Sequence, residues 1–478
     1  MTDWLRHLPL AALSIAIALC AALPAHAELQ IDITSGVTDP IPIAVVPFTR
    51  VPADGGVDVS EVVQHDLATS GRFKTMTRAQ MMSTPTRAVD VVAADWKASG
   101  NDYVVVGRVS GAGDGQLSVD FDLVNALTGQ TIASQRFSGP QAALRNAAHR
   151  VSDVIYEKII GVRGAFATRI AYVSVDGQPP SQTYQLVIAD SDGENQRRVL
   201  ESRYPIMSPS WSADGQWIAY VSFESRRSAV YVQQVRTGER SRVSARAGIN
   251  GAPAFSPDGK RLALTLGGTS GNPDIFVLDL NTQGLTRITD DPAIDTEAVW
   301  SNDGQSLYFT SDRAGGPQIY RVGVRAGDKP KRITFGGSYN ARPRLSPDGT
   351  QLAMVTLDGG NYRIAVQDLA SNNVRVLSKG RQDESPSFAP NGAMLIYSGS
   401  EGRPRHARHR VDGCPHRAAP EERPGPGAGT CVGVRLLNSR SVCRPRATRK
   451  FHNSDGVGPS FVIESALPFG RWGYGSEK

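Results

Sequence analysis

WSADG (Trp211–Gly215), FSPDG (Phe255–Gly259), WSNDG (Trp300–Gly304), LSPDG (Leu345–Gly349) and FAPNG (Phe388–Gly392) are five copies of one short motif. They begin 44, 45, 45 and 43 residues apart, so the motif repeats with an almost constant period. A period of this length is typical of proteins built from stacked copies of one supersecondary unit. We therefore predict a repeat fold for the second half of the chain.

The copy that starts near Glu297 indicates what each unit contains. A short apolar strand, AVWS, is followed by a turn at Asn302-Asp303-Gly304, where Gly accepts a positive φ and Asp can bond to nearby backbone N–H groups. A second strand with alternating apolar residues follows at Ser306–Ser311, a third at Gln318–Val322 and a fourth around Ile333. Four short antiparallel strands per period, with no helical period between them, are typical of a β-propeller blade.

A degenerate copy precedes the five clear ones. Arg169–Ser174 matches the second strand of a later copy at Ile218–Ser222, and Tyr184–Asp190 matches the third strand. Six blades are therefore predicted. The bulky residue that begins each motif, such as Trp211 or Trp300, is predicted to pack between neighbouring blades rather than to bind a ligand.

The N-terminus has the pattern of a secretory signal peptide over residues 1–27. Arg6 precedes an apolar run from Leu8 to Leu23, and Ala25-His26-Ala27 provides a cleavage pattern of small residues. We expect cleavage between Ala27 and Glu28, and export to the periplasm. The alternative is an uncleaved membrane anchor, but the apolar run is shorter than the roughly 20 residues that a spanning helix needs. No other stretch has the composition of a transmembrane segment, so we expect none in the mature chain.

Residues 28–165 have the mixed pattern of an α/β domain. The sequence predicts strands at Ile41–Phe48 and Tyr103–Val109, and a hairpin of Leu117–Leu127 with Thr131–Phe137. It predicts helices at Val57–Ser70, Val91–Ser99 and Gln141–Ile160. The propeller is assigned to residues 166–402. The predicted fold is thus an N-terminal α/β domain followed by an all-β six-bladed β-propeller whose sixth blade is incomplete.

The character of the sequence changes at Arg403. Residues 403–478 contain 14 basic and 6 acidic residues, a net charge of +8, which leaves −2 for residues 1–402 out of the total of +6. The folded part therefore lacks the basic character of a nucleic-acid-binding protein. Its last blade still requires three strands, yet the tail is rich in Arg, Pro and Gly without strand periodicity. We interpret 403–478 as an aberrant, out-of-frame and disordered tail; the alternative is an ordinary disordered basic tail.

Cysteine, histidine and motif patterns give no catalytic site. Residues 28–402 contain no Cys, and the chain contains neither the G-x-S-x-G motif of a serine hydrolase nor a Gly-rich phosphate loop. Between the signal peptide and the tail the only histidines are His65 and His149, and both are predicted to face solvent on helices. We therefore predict no catalytic residue, no metal site and no cofactor. The alternative is a propeller-type hydrolase or a metal-binding propeller enzyme.

Carboxylates near the starts of innermost strands are the best candidates for the metal-binding alternative. Such a group, at the end of the ring where blades converge, could bind Ca²⁺. The other interpretation is turn capping and ion pairing with Arg342 or Arg313, which we prefer. The carboxylates in question are Asp295, Glu297, Asp383 and Glu384.

The order of a signal peptide, an α/β domain and six blades resembles the TolB family of the Tol-Pal system. The segments NGAPAFSPDGKRLALTLG (from Asn250) and DESPSFAPNGAMLIYSGS (from Asp383) resemble this family in particular. The resemblance extends over residues 1–402. It implies a monomeric periplasmic protein that binds other proteins and supports outer-membrane integrity and invagination during cell division.

The resemblance also implies two partner sites. One is the propeller mouth, which in the family binds the Pal lipoprotein and places the protein at the periphery of the outer membrane. The candidate Pal contacts are Asn250, Gly251, Ala252, Thr296, Glu297, Asn340, Arg342, Asp383 and Glu384. The other is the N-terminal segment, which in the family binds TolA, here through Glu28, Leu29, Gln30, Ile31, Asp32 and Ile33. The alternation of Leu29, Ile31 and Ile33 suits strand addition to a partner sheet; the plainer alternative is a segment that packs on its own domain.

Overall fold

The computed structural model describes residues 39–51, 56–176, 180–268, 272–399, 434–438 and 464–466. The predicted signal peptide, its cleavage site at Ala27 and Glu28, and the candidate TolA segment Glu28–Ile33 lie outside these residues. Within the described ranges, every helix is too short or too polar to cross a lipid bilayer.

The N-terminal domain is a six-stranded sheet with helices on it. Its strand order is β3-β1-β4-β5-β6, and β2 pairs with β4. The strands are β1 Ile41–Val45, β2 Thr49–Val51, β3 Phe73–Thr75, β4 Tyr103–Gly111, β5 Gln116–Asn125 and β6 Thr131–Pro140. The helices are α1 Val59–Thr69, α2 Ala93–Ala98 and α3 Leu144–Ile160. The predicted elements are all present with slightly different ends, and β2 and β3 are two short strands that the pattern did not predict.

The apolar patterns of α1 and α3 explain how the sheet is covered. Asp58 directly precedes helix α1, and its carboxylate accepts the N–H of Glu61 at 3.2 Å and so caps the helix. Its buried Val63 and Leu67 join Val151 and Ile155 of α3 in one apolar core against the sheet. The burial of these side chains orients α3, and α3 carries the residues that contact the propeller.

Blades 2 to 5 are four-stranded antiparallel sheets whose strands follow chain order, as predicted. Blade 2 contains β10 Ile206–Trp211, β11 Trp217–Ser222, β12 Ala229–Gln234 and β13 Arg240–Ser244. Blade 3 contains β14 Ile249–Phe255, β15 Arg261–Gly267, β16 Asp274–Asp279 and β17 Leu285–Arg287. Blade 4 contains β18 Asp295–Trp300, β19 Ser306–Ser311, β20 Gln318–Gly323 and β21 Lys331–Arg332. Blade 5 contains β22 Asn340–Leu345, β23 Gln351–Asp358, β24 Asn361–Asp368 and β25 Val374–Val376.

The repeated motif forms the turn between the first two strands of a blade. In blade 4 the Asp303 carboxylate accepts the Ser301 hydroxyl at 2.5 Å and the N–H of Gln305 at 2.9 Å, while Ser301 Oγ accepts the N–H of Ser306 at 2.9 Å. Gly304 completes the turn with a φ of +66°. The Ser, Asp and Gly of the motif are therefore required by backbone geometry.

Trp300 packs between blades 3 and 4, as predicted. It is 6% exposed and lies in a core with Ala263 of blade 3 and Phe309 of blade 4. Its indole N–H donates to the Ala254 carbonyl at 3.0 Å, and the guanidinium of Arg261 lies 4.6 Å from its ring centroid. Trp211 is likewise buried, in an apolar core that residues of blades 1 and 2 share.

Blades 1 and 6 use strands from the two ends of the propeller sequence. Blade 1 has the order β29-β7-β8-β9, and blade 6 has the order β26-β27-β28. Their strands are β7 Arg169–Asp176, β8 Thr183–Asp190, β9 Arg197–Ser202, β26 Glu384–Phe388, β27 Met394–Ser398, β28 Val434–Asn438 and β29 Glu464–Ala466. The sixth blade thus has three described strands where blades 2 to 5 have four. Strand β28 of blade 6 and strand β29 of blade 1 come from the tail, and the rest of 403–478 lies outside the described residues.

The innermost strands form a closed ring. Contacts run from β10 to β14, β18, β22, β26 and β29, and β29 contacts β10 again. This arrangement confirms the predicted six-bladed propeller with an incomplete sixth blade. We call the end of the ring where the chain enters β10, β14, β18, β22 and β26 the mouth, and the end that carries the motif turns the far end.

Candidate functional site

Each innermost strand from blade 2 to blade 6 has a β-bulge close to the mouth. The pairing register shifts at equivalent positions in β10, β14, β18, β22 and β26. At each bulge one non-glycine residue has a left-handed backbone, with φ between 43° and 57°: Ser208, Ala252, Glu297, Arg342 and Ser385. Such conformations are uncommon for residues with a Cβ and cluster at functional sites. The repeat therefore produces an arc of five redirected side chains at the mouth.

Arg342 connects three of these blades. Its Nε lies 3.1 Å from Glu297 Oε1 of blade 4, and its Nη1 lies 3.2 Å from Glu384 Oε2 of blade 6. The same Nη1 donates to the Ser385 hydroxyl at 2.9 Å. The three ionic side chains are between 22% and 27% exposed, so they are partly desolvated and still reachable from the mouth.

Threonines of the second strands hold the bulges in place. Thr310 Oγ1 accepts the backbone N–H of Arg342 at 3.0 Å and lies 3.3 Å from Glu297 Oε2. Thr265 Oγ1, one blade earlier, accepts the N–H of Glu297 at 3.3 Å and lies 3.3 Å from Thr296 Oγ1. Glu297 and Arg342 are therefore fixed by the preceding blade, which pre-organises their side chains.

A second group of candidates is buried and hydrogen-bonded within the protein: Asn250, Asn340 and Asp383. Each is 1% exposed. Asn250 Oδ1 accepts the Ser244 hydroxyl at 2.7 Å, Asn340 Nδ2 donates to the Gly336 carbonyl at 2.7 Å, and Asp383 Oδ2 accepts the Gly380 N–H at 2.8 Å. These side chains hold the loops that enter the innermost strands. The remaining candidates are half-buried at the mouth: Gly251, Ala252, Thr296, Glu297, Arg342 and Glu384.

The carboxylates considered for Ca²⁺ have protein partners. Asp295 is fully buried and lies 2.7 Å from Arg313 Nη2, Glu297 and Glu384 pair with Arg342, and Asp383 caps Gly380. Burial raises the pKa of Asp295 against the effect of its Ser311 and Arg313 hydrogen bonds. This arrangement matches the capping and ion pairing that the sequence analysis preferred.

Exposed apolar side chains at the mouth were missed by the sequence analysis. Ile249 and Ile294 are each 47% exposed, and each directly precedes a buried Asn or Asp at the mouth end of an innermost strand, Asn250 of β14 and Asp295 of β18. Tyr204 and Phe335, in the loops that lead to β10 and β22, are 40% and 71% exposed. The sequence could have identified the two isoleucines, because each stands directly before the Asn or Asp that recurs with the period of the repeat, at 250, 295, 340 and 383.

His149 lies in a buried polar cluster between the N-terminal domain and blade 1. The prediction that it faces solvent is wrong, because it is 1% exposed, whereas His65 is exposed as predicted. His149 Nδ1 lies 2.8 Å from Asp66 on α1, and Nε2 lies 3.4 Å from Asp192 in the β8–β9 turn. Arg145 Nε also donates to Asp192 at 3.0 Å. A helical wheel could have placed His149 on the same face as buried Ser152 and Tyr156, but not opposite a carboxylate of another domain.

The electrostatics of this cluster favour a charged imidazole. Burial alone would lower the pKa of His149, but the carboxylates of Asp66 and Asp192 outweigh it and raise that pKa to about 10. Burial would raise the pKa of Asp192, and the His149 and Arg145 contacts hold it well below its usual range. Asp66, His149 and Asp192 form the one group of possible metal ligands among the described residues. Their ligand atoms lie within 4.8 Å of one another, and in this structure each carboxylate contacts the imidazole, Asp66 at Nδ1 and Asp192 at Nε2.

Comparisons with known proteins agree with both domains. The family model described as the TolB beta propeller domain matches residues 156–415, and that of the TolB amino-terminal domain matches residues 29–132. The Tol-Pal system protein TolB of Xanthomonas oryzae pv. oryzae (strain PXO99A) is 46% identical over 397 residues, which cover 82% of this chain and 90% of the relative. That of Xanthomonas campestris pv. campestris (strain B100) is also 46% identical, over 404 residues that cover 82% and 91%. The crystal structure of TolB from Acinetobacter baumannii is similar with a TM-score of 0.71 and 42% identity, covering 76% of this chain and 89% of that one.

Proposed function

We propose that this chain, which belongs to the TolB family of Tol-Pal system proteins, is a non-catalytic periplasmic scaffold that binds partner proteins. The chain is a Tol-Pal system component by that membership. The proposed partners are the Pal lipoprotein at the mouth and TolA at the N-terminal segment. Through them the protein would support outer-membrane integrity and invagination during division, as a monomer peripheral to the outer membrane.

The ionic arc at the mouth is the observation that carries the Pal proposal. Glu297, Arg342 and Glu384 come from three successive blades and are half-buried, and second-strand threonines fix the backbones of Glu297 and Arg342. Half-buried, pre-organised charges beside exposed Ile294 and Phe335 have the composition of a protein interface, in which polar contacts surround apolar anchors. They fit a partner that inserts a segment with its own ionic and apolar side chains.

Calorimetric titration with the purified periplasmic domain of Pal tests this proposal. Wild-type protein is expected to bind one Pal, and Glu297→Ala is expected to weaken binding about tenfold, because Arg342 loses one of its two carboxylates. Glu239→Ala is the matched control, since Glu239 is exposed in the β12–β13 turn at the far end. Equal affinities for the wild type and Glu297→Ala would remove Glu297 from the site. Turnover of ester or peptide substrates, which a hydrolase would give, would contradict the non-catalytic role.

The TolA proposal rests on the N-terminal sequence. Leu29, Ile31 and Ile33 alternate with Gln30 and Asp32, so one face of an extended segment would be apolar and could add to a partner sheet. Deletion of residues 28–33 is expected to abolish capture by purified TolA while Pal binding persists. Retention of TolA binding by the deletion variant would contradict the proposal.

A further inference from the structure

The turn between β11 and β12 is part of the mouth. Phe223 N–H donates to the Pro205 carbonyl at 3.1 Å, next to the start of β10. At its other end, Ser228 Oγ accepts the N–H of Asn250 at 3.0 Å and lies 3.4 Å from the Gly248 carbonyl, at the start of β14. The turn therefore lies between the two loops that enter the innermost strands of blades 2 and 3.

These three segments carry four exposed arginines, which we call the basic sector: Arg203, Arg226, Arg227 and Arg246. The two acidic residues closest to them in the sequence already have partners, because Glu224 lies 3.1 Å from Arg240 and Glu201 pairs with Arg198. Within the part of the chain that the structure describes, none of the four guanidinium groups of the basic sector forms an ion pair. Four positive charges are thus concentrated in one sector of the mouth without compensation.

Two further features favour a protein rather than a lipid surface as the partner of this sector. Tyr204 is adjacent to Arg203 and is 40% exposed, and Ile249 lies in the loop of Arg246 and is 47% exposed. Arginine beside exposed tyrosine is the composition of protein-binding hot spots. In addition, Arg226 has a φ of +61°, a conformation that is costly for a residue with a Cβ and that persists only where the surrounding turn imposes it.

We propose that the basic sector binds an acidic segment of the protein that docks in the mouth, and that it guides this partner to the ionic arc. The inference rests on the proposed function, since it extends the same interface over blade 2. Uncompensated charges at the edge of an interface accelerate encounter and fix orientation more than they increase affinity. The expected signature is therefore an association rate that depends on salt.

The test compares Arg226→Glu/Arg227→Glu with Arg236→Glu/Arg325→Glu, a control with the same charge change. Arg236 and Arg325 are exposed in turns at the far end, where Val235 N–H donates to Gln216 and Val324 N–H donates to Gln305. With the periplasmic domain of Pal, the Arg226/Arg227 variant is expected to associate at least tenfold more slowly than wild type at 50 mM NaCl. At 500 mM NaCl, where the Debye length falls to about 4 Å, the difference is expected to shrink to about twofold. The control is expected to stay within about twofold of wild type at both concentrations.

A second probe separates this inference from the proposed function. A fluorescein-labelled ten-residue peptide of glutamate and glycine should bind the wild type and the control at 50 mM NaCl, and should not bind the Arg226/Arg227 variant. If the wild type does not bind Pal, the proposed function is overturned. Binding of the peptide still tests whether the basic sector recognises an acidic segment. The inference is overturned if the Arg226/Arg227 variant and the control associate with Pal at equal rates, or if they bind the peptide equally. Sedimentation with phosphatidylglycerol vesicles that requires Arg226 and Arg227, with unchanged Pal association, assigns the sector to lipid instead and also overturns it.

Discussion

His149 Nδ1 lies 2.8 Å from the carboxylate of Asp66, and the opposite nitrogen of the same ring lies 3.4 Å from Asp192 in the first blade. One buried imidazole therefore joins helix α1 of the N-terminal domain to the propeller. Helix α3 places Arg145 and Asp153 beside it, and Asp153 accepts the N–H groups of Phe166 and Ala167 at 2.6 and 3.3 Å. The junction depends on charges, so its stability should depend on pH.

His149 is expected to stabilise the fold less as pH rises from 7.5 to 10. Its pKa is about 10 in the folded protein and about 6.5 in the unfolded chain, so the stabilisation is complete below 6.5 and is lost as pH rises through 10. Urea unfolding at several pH values should show that the advantage of wild type over His149→Gln decreases by a few kcal/mol across this range. The range begins above the pKa of Asp153, which burial raises to about 7. His65→Gln, an exposed control on α1, should show no such change; parallel curves for wild type and His149→Gln would contradict the prediction.

Gly164→Ala is expected to loosen the junction. A Cβ on Gly164 would overlap the Asp153 Cα, which is backbone and cannot rotate away, so the linker would have to move from α3. We expect a loss of about 2 kcal/mol in the free energy of unfolding, as for other overpacked sites. Gly111→Ala is the matched control, because its Cβ would meet nothing within 4 Å. Equal urea midpoints for the two variants would show that the linker adapts without cost.

Trp300→Ala is expected to destabilise the propeller by about 3–5 kcal/mol, because it leaves a cavity between two blades. Trp300→Phe keeps most of the packing but removes the hydrogen bond to Ala254, so it should cost about 1–2 kcal/mol. Thermal unfolding followed by circular dichroism measures both variants. A cost for the alanine variant no greater than that for phenylalanine would mean that packing between the blades is not the main role of this residue.

We propose that the reading frame slips near the codon for Arg403. Codons chosen for residues 405–433 allow the frame one nucleotide later to read GTLATGSTDARIELRLKSDQGQVREPAWG, and its Trp would fall 44 positions after Phe388. Resequencing of the gene from the source strain is expected to reveal a single-nucleotide insertion or deletion there. The restored chain should unfold at a higher temperature than the present one, because its sixth blade would have a regular set of strands. Peptides from the cellular protein that match 403–478 as written would contradict the slip.

The sequence predicted the features that recur in every blade, namely the motif turn and the packing of its first residue. Asp or Asn recurs at the position of Asp303, and Gly at that of Gly304, because the turn needs them. A bulky apolar residue recurs at the position of Trp300 because each blade must cover its neighbour, so period and residue type were sufficient. The same period indicated that Glu297 and Arg342 occupy equivalent positions at the mouth. It could not indicate that they pair with each other, because this contact depends on the spacing between blades and on a bulge that reverses the sign of φ.

Features that lie outside the repeat could not be predicted in this way. The environment of His149 depends on Asp192, which is far away in the sequence and belongs to another domain. The division of the candidate residues into buried Asn250 and half-buried Glu297 also depends on three-dimensional packing, since both lie at the start of an innermost strand. The sequence pattern placed these candidates at one end of the propeller but could not indicate which of their side chains remain accessible.

The N-terminal domain is attached at the far end, where Asn391 Nδ2 donates to the Arg163 carbonyl at 3.1 Å, and Arg342 lies at the mouth. A strand of six residues is about 20 Å long, so the depth of a blade separates these two regions. No side chain could contact both regions across that depth. Coupling between a partner in the mouth and the histidine junction would therefore pass through the packed strands, as a tilt or sliding of whole blades.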